Sequence, residues 1–389
     1  MSILYITYDG LLEPLGKSQV LAYQEKLSKD FEIIILSYEK PSDLINHKLV
    51  SSVKNRISKT SIKWISRKYH KFPSILATFY DLLIGSIHCL FIVWRYKIKI
   101  VHARSYPPSL IALFCKKIFG TKFIFDMRGF WPDERVDGDI WKKDDFIYKI
   151  TKSLEQSFIL QADHIVSLTN AAVKEINRFS YTNEKSLSFS IIPTCVDLEK
   201  FSERENSQSP NEFTLGYLGT VGTWYLFDET VKAFKYCLEI NPTSKILIIN
   251  KNEHEFIKEV LKKNNFPLSS VEIISADHDD IPKILHRMSG AVFFLKPYFS
   301  KQAAAPTKLG ELLASGIPSL TNEGVGDMAK ILQDTNTGIT IENFSDFSIK
   351  NGVSDLMELV QQQDIIARCR KAGESNFSLN DGIKKYKNI

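Results

Sequence analysis

An alternation of strand-like and helix-like segments limits this chain more than any other feature. "ILYITYD" gives way to "SQVLAYQEKLSK"; "EIIILSYE", "KIVHARS", "KFIFDMRG", "DHIVSLT" and "SFSIIPTCVD" follow, with helix-spaced segments between most of them. Short runs that are apolar throughout, joined by helices, predict strands of a parallel sheet covered on both faces. A polar, helix-poor stretch, "SERENSQSPNE" at 202–212, reads as a linker or domain edge. The pattern then restarts with "FTLGYLG", "SKILIIN", "VEIISA", "GAVFFLKP" and "IPSLTN". Two such sets predict an α/β protein of two doubly wound, Rossmann-like domains, at 1–198 and 199–372, facing a central cleft. Residues 373–389 predict a last helix that returns to the first domain.

At 389 residues the chain is long enough for two separate cores. A net charge of +5 suits acidic ligands or an anionic membrane surface, and falls short of a nucleic-acid footprint. Five scattered cysteines, none in a ligand spacing, read as free thiols of a reducing cytosol. The start "MSILYITYDG" has no basic n-region, so a secretory signal is not expected, and the chain reads as cytoplasmic. Residues 75–94, "ILATFYDLLIGSIHCLFIVW", are long enough to span a bilayer. Asp81 and His88 within them favour a buried amphipathic helix instead.

Ligands of open parallel sheets sit at the carboxyl ends of the strands, so those loops carry the functional reading. The first, "DGLLEPLGKSQ", offers Gly10, Gly16 and Lys17 before a helix, where backbone amides could approach an anion or a sugar; an ordinary turn explains it equally well. "FDMRGFWPDERVDGDIW" mixes Asp126, Arg128, Asp133 and Glu134 with Trp131 and Trp141, equipment for stacking and hydrogen-bonding a saccharide. "VHARSYPP" adds His102 and Arg104, although a lone histidine there is more often structural. "LGYLGTVGTWY", with Gly219 and Thr220, loosely mimics a nucleotide loop. "FFLKPYFSKQAAAPTKLGELL" is the stronger signal. Thr307 and Lys308 open a helix whose amides would face a diphosphate, Ala303–Ala305 leave the backbone accessible, and Lys296 or Lys308 adds charge. Glu311, one turn inside, would accept two hydrogen bonds from a ribose diol.

These loops together resemble those of the family-4 glycosyltransferases, over nearly the whole chain. "LGKSQVLAYQEKL", "HARSYPP", "ADHIVSLTNA", "IIPTCVDLEKF" and "PTKLGELLASGIPSLTNEGVGDM" carry the resemblance. It implies a GT-B fold and metal-independent, retaining transfer of a hexose-type sugar from a nucleotide-sugar donor, without a cofactor. The acceptor would be a saccharide, lipid-linked, in bacterial surface polysaccharide assembly. Lys296, Lys308 and Arg128 would be catalytic. Gly16, Gly219, Thr220, Ala305, Thr307 and Glu311 would join the two lysines around the donor; Gln19, Arg104, Asp126, Trp131, Asp133 and Glu134 would join Arg128 around the acceptor. Three positions depart from the family pattern: Ala303 replaces the first glutamate of a Glu-x7-Glu pair ending at Glu311, Thr220 replaces a phosphate-binding arginine, and Arg128 replaces a histidine.

Two other classes fit the same architecture. A nucleotide-sugar epimerase could use Asp126, Asp133, Glu134 and His102 as acid and base, and a non-catalytic glycan-binding relative would explain Ala303 and Thr220. Finally, "KTSIKWISRKYHKF" at 59–72 interleaves basic and aromatic residues. That mixture suits peripheral docking on the inner face of the cytoplasmic membrane, or a solvated helix or loop.

Overall fold

A computed structural model describes residues 1–183, 185–204 and 213–389. Most of the expected linker at 202–212 therefore lies outside the described residues. Contacts divide the chain into two units: Met1–Ile192 with Ile383–Ile389, and Pro193–Gly382. The border thus falls at Pro193 rather than 199, and only the last turns of the chain, not all of 373–389, belong to unit 1.

Unit 1 holds a seven-stranded sheet of β1 (Ser2–Thr7), β2 (Glu32–Glu39), β3 (Lys63–Lys68), β4 (Ile100–Arg104), β5 (Lys122–Asp126), β6 (His164–Ser167) and β7 (Phe189–Ile191). Its order is β3-β2-β1-β4-β5-β6-β7, and all pairings are parallel. Unit 2 holds six parallel strands, β8 (Thr214–Leu218), β9 (Lys245–Ile249), β10 (Val271–Ile274), β11 (Gly290–Val292), β12 (Ser319–Asn322) and β13 (Gly338–Ile341). These are ordered β10-β9-β8-β11-β12-β13. In each sheet the winding reverses once, beside β1 and β4 in unit 1 and beside β8 and β11 in unit 2. A reversal opens a crevice at the strands' carboxyl ends, where ligands of such sheets bind. The cores are what two-sided burial requires: Leu4, Ile6, Ile35, Val101, Phe123 and Phe125 in unit 1, and Leu215, Tyr217, Ile248, Val292 and Leu320 in unit 2, are all 0% exposed.

Two sequence expectations need correction. Residues 63–68, within the basic-aromatic segment, are an edge strand rather than a helix or loop; Ile34–Glu39 of β2 pair with Lys63–Lys68. Lysines on an edge strand block further pairing, so the segment has a structural use independent of any membrane. The apolar segment at 75–94 does form a helix, Ser74–Tyr96, and one face is buried. Its outward face, however, is not polar: Leu76, Phe79, Leu83, Ile87, Phe91 and Trp94 are exposed there.

Candidate functional site

In unit 2 the site is built around the loop that follows β8. Gly219 has φ 101°, a left-handed conformation that glycine adopts without strain. Its amide bonds to the Ile249 carbonyl at 2.8 Å, and its carbonyl accepts from the Asn250 side chain at 3.0 Å. Glu253 accepts from the Val221 amide (3.1 Å) and from Asn250 (2.8 Å), which fixes the loop's outward course. Farther along, Tyr225 bridges Leu295 in antiparallel fashion, and the Lys296 amide donates to the Trp224 carbonyl at 3.0 Å. The loops after β8 and β11 therefore form one body beside the winding reversal. Asn322, at the end of β12, bonds to both the amide and the carbonyl of Leu295 and holds that body from behind.

Lys308 reaches into it. Its helix, Thr307–Ala314, begins after Pro306, which supplies no side-chain acceptor for the first-turn amides. The ammonium position of Lys308 lies 3.8 Å from the ring centre of Tyr225, 4.6 Å from Tyr217 and 5.2 Å from Phe293. A Cβ placed on Gly219 would sit 3.2 Å from the Lys308 nitrogen. That contact is tight, and with the positive φ it disfavours a side chain at 219. Among the described residues, Lys308 Nζ has no hydrogen-bond partner, and it is buried. Burial, opposed by the charges of Glu311 and Glu253, brings its pKa down to about 7. A buried lysine with so displaced a pKa marks a candidate functional position.

Glu311, 6% exposed, lies one turn deeper, and its Oε1 is 3.2 Å from His278 Nε2. His278 is itself bonded through Nδ1 to Lys200 Nζ at 2.7 Å and lies edge-on to Phe201. The expected ribose acceptor thus has a positioning partner that sequence reading missed, although "ISADHDD" is another loop after a parallel strand. Lys301 was missed as well: it is 3% exposed, with its ammonium 3.6 Å over the Trp224 ring. Lys296 is half-buried, 5.9 Å from the Tyr298 ring. Thr220 is exposed, and its carbonyl accepts from the Tyr217 hydroxyl at 2.5 Å. The cation beside Gly219 is Lys308, not a residue at 220. The alanine run is less open than expected. Ala303 is 1% exposed, the Ala304 amide donates to the Lys301 carbonyl at 3.0 Å, and the Ala305 carbonyl accepts from Thr194 at 2.6 Å.

In unit 1 the expected acceptor residues separate into two groups. Asp126, at the end of β5, is fully buried. Its carboxylate lies 3.5 Å from His102 Nε2 and 3.9 Å from both Arg104 and Arg128, and it accepts from the Tyr386 hydroxyl at 3.1 Å. Arg128 holds φ 60°, a costly conformation for a non-glycine residue, and keeps 15% of its side chain exposed. Arg104 donates to Asp9 at 3.1 Å. Asp133 belongs elsewhere. Its carboxylate accepts from Tyr148 (2.9 Å) and Lys152 (3.0 Å), and Lys152 also bonds to buried Glu155, so Asp133 serves an internal network rather than an open surface. Trp131 packs edge-on to Trp141 and tilted on Tyr106, and Glu134 is half-exposed on the same short helix. Gln19 is 4% exposed. Gly16 fits where a Cβ would lie 1.9 Å from the Gly10 carbonyl oxygen. The amides of Leu11 and Leu12 donate to the buried Glu39 carboxylate at 2.8 and 3.1 Å. An anion at those two amides is thereby replaced by a carboxylate of the protein itself.

No family model and no curated protein matches the chain. Solved structures do. Sucrose-phosphate synthase from Thermosynechococcus elongatus aligns at TM-score 0.73 and 11% identity, over 100% of this chain and 97% of its own. A glycosyltransferase from Rickettsia africae ESF-5 aligns at 0.72 and 15%, over 100% and 97%. Anabaena HepE in complex with UDP aligns at 0.70 and 12%, over 100% and 99%. Likeness at such identity carries the architecture alone, and with two all-parallel, doubly wound sheets already in view, that architecture is the GT-B glycosyltransferase fold.

Proposed function

We propose that the chain is a retaining, metal-independent glycosyltransferase of family-4 type. It would move a hexose-type sugar from a nucleoside-diphosphate donor to a saccharide acceptor, lipid-linked, at the inner face of the cytoplasmic membrane. The observation that carries this reading is Lys308: a buried nitrogen without a hydrogen-bond partner among the described residues, against Gly219, at the start of a helix without a side-chain cap. Helix N-termini attract phosphate, and a desolvated amine beside one adds a full charge once protonated. Neighbours described as complexes with UDP and UDP-glucose, and another named a lipopolysaccharide outer core galactosyltransferase, support the donor class and the pathway.

Breaking the bond from sugar to diphosphate builds charge on the leaving oxygens. Lys308 and the first-turn amides of Thr307–Ala314 would stabilise that charge, the contribution a metal makes in other transferases. Lys296 would add a second charge. Glu311 would hold the ribose hydroxyls, trading its bond from His278 for theirs. Arg128, with Asp126 behind it, is assigned to the acceptor hydroxyl and the transferred sugar on the family resemblance.

Thermal stability with UDP, GDP, ADP and CDP tests the reading. One nucleotide at about 100 times its Kd should stabilise the native state by about 2.7 kcal/mol. Four flat melting curves would refute it. In Glu311→Ala the affinity for that nucleotide should fall by about 1.5–3 kcal/mol, measured by calorimetry. An epimerase would instead convert the labelled donor with no acceptor present.

A further inference from the structure

The helix Ser74–Tyr96 is apolar on both faces, and only one of them is used. Its inner face is locked into unit 1. Asp81, 3% exposed, accepts from the Tyr8 hydroxyl at 3.1 Å and from the His70 amide at 3.0 Å. The Tyr38 hydroxyl donates to the Asp81 carbonyl at 2.8 Å, and a Cβ on Gly85 would meet that same hydroxyl oxygen at 2.0 Å. The outer face carries Leu76, Phe79, Leu83, Ile87, Phe91 and Trp94, each between 49% and 68% exposed. Their separations of three and four residues put them in one stripe, on a helix about 34 Å long at 1.5 Å per residue. Exposed apolar stripes of this extent mark a surface that something covers.

Length and composition alone would let this helix cross a bilayer. Crossing would tear Asp81 and Gly85 from Tyr8, His70 and Tyr38, so in the folded unit the helix lies along the surface instead. The neighbouring charge identifies the cover. Between positions 59 and 99 the sequence has eight lysines and arginines and a single carboxylate, Asp81, which is buried. The edge strand β3 brings part of that charge alongside the stripe: Lys63 stands 4.6 Å over the Tyr96 ring, and Arg67 lies 3.0 Å from His88. A second copy of the chain would present the same positive field and be repelled.

We propose that this face seats unit 1 on an anionic bilayer, with the helix in the plane of the headgroup–acyl boundary and β3 supplying cations to the headgroups. The seat does not depend on the transferase reading, because its test needs no turnover. The full chain should float with phosphatidylcholine vesicles containing about 30 mol % phosphatidylglycerol, bind phosphatidylcholine alone weakly, and be released from the anionic vesicles by high salt. Brominated lipids should quench Trp94, and that quenching should be missing in Trp94→Phe. Phe79→Asp with Phe91→Asp, at exposed positions that spare the fold, should lower partitioning roughly tenfold or more. Lys63→Glu with Lys68→Glu should weaken binding to anionic vesicles alone. A wild-type chain that stays in the aqueous fraction at low salt, or variants that float as the parent does, would overturn the proposal. A dimer that the Phe79→Asp, Phe91→Asp variant dissociates would also overturn it, by giving the face to a second copy.

Discussion

A Lys308→Met variant should melt higher than the parent when free, and should lose its response to a nucleoside diphosphate. The two effects have one origin. Lys308 places an amine among Tyr217, Tyr225 and Phe293, and no group among the described residues accepts its hydrogens. Replacing such a group by an apolar side chain of similar length removes the desolvation cost of an unsatisfied polar group, about 1–3 kcal/mol. Methionine also keeps a favourable contact with the rings. A bound diphosphate would accept the missing hydrogen bonds, so its affinity should fall by about 1.5–3 kcal/mol, a loss of roughly ten- to 150-fold. A lysine with only a packing role would give the reverse: lower stability and unchanged binding.

The same residue makes both stability and binding depend on pH, with opposite consequences. Burial, the larger effect, brings the folded-state pKa from the ordinary 10.5 to about 7, against the pull of Glu311 and Glu253. Between those values the unfolded chain holds a proton that the folded chain lacks. The free protein therefore loses stability as pH falls from 10.5 toward about 7, and loses no more from this group below that. A diphosphate restores the charged form. Binding near pH 8 should then take up a proton, visible as a calorimetric enthalpy that varies with buffer ionisation heat. Lys308→Met should abolish both dependences.

The architecture was legible because the central strands are apolar on both faces, and their shortness and β-branched content separate such runs from buried helices. Two strands were not anticipated, β3 and β13, and both lie at sheet edges. An edge strand is half solvated, so "KWISRK" and "GITI" in its polar surroundings lack the continuous apolar signal. The opened helix with Lys308 and Glu311 was legible from spacing. Its surroundings were not, since His278 and Trp224 approach through the winding of the sheet rather than along the sequence. The internal network around Asp133 was hidden for a related reason. Its partners Tyr148 and Lys152 lie on the following helix, and nothing in "WPDERVD" shows that they turn back to claim it.

The second large effect is expected at Asp126. Asp126→Asn keeps the shape and removes the one carboxylate around which His102, Arg104, Arg128 and Tyr386 gather. Arg104, 2% exposed, keeps only Asp9, whose side chain is 46% exposed, so its buried charge would be less fully compensated. Removing one partner of a buried pair costs about 3–5 kcal/mol, so the melting temperature of unit 1 should fall by roughly 10 °C. Tyr386→Phe, which removes only a neutral donor, should cost about 1 kcal/mol. Acid separates charge from shape. Burial alone would raise the Asp126 pKa, but Arg128, His102 and Arg104 outweigh it and hold it at about 2. The stability it contributes is complete above the ordinary value of 3.8 and is lost as pH falls toward about 2. The acid limb of the stability curve should therefore be shallower in Asp126→Asn than in the parent over that window, as followed by circular dichroism. Equal stability at neutral pH with an unchanged acid limb would mean that apolar packing, not this charge cluster, holds the ends of β4 and β5 and the last helix together.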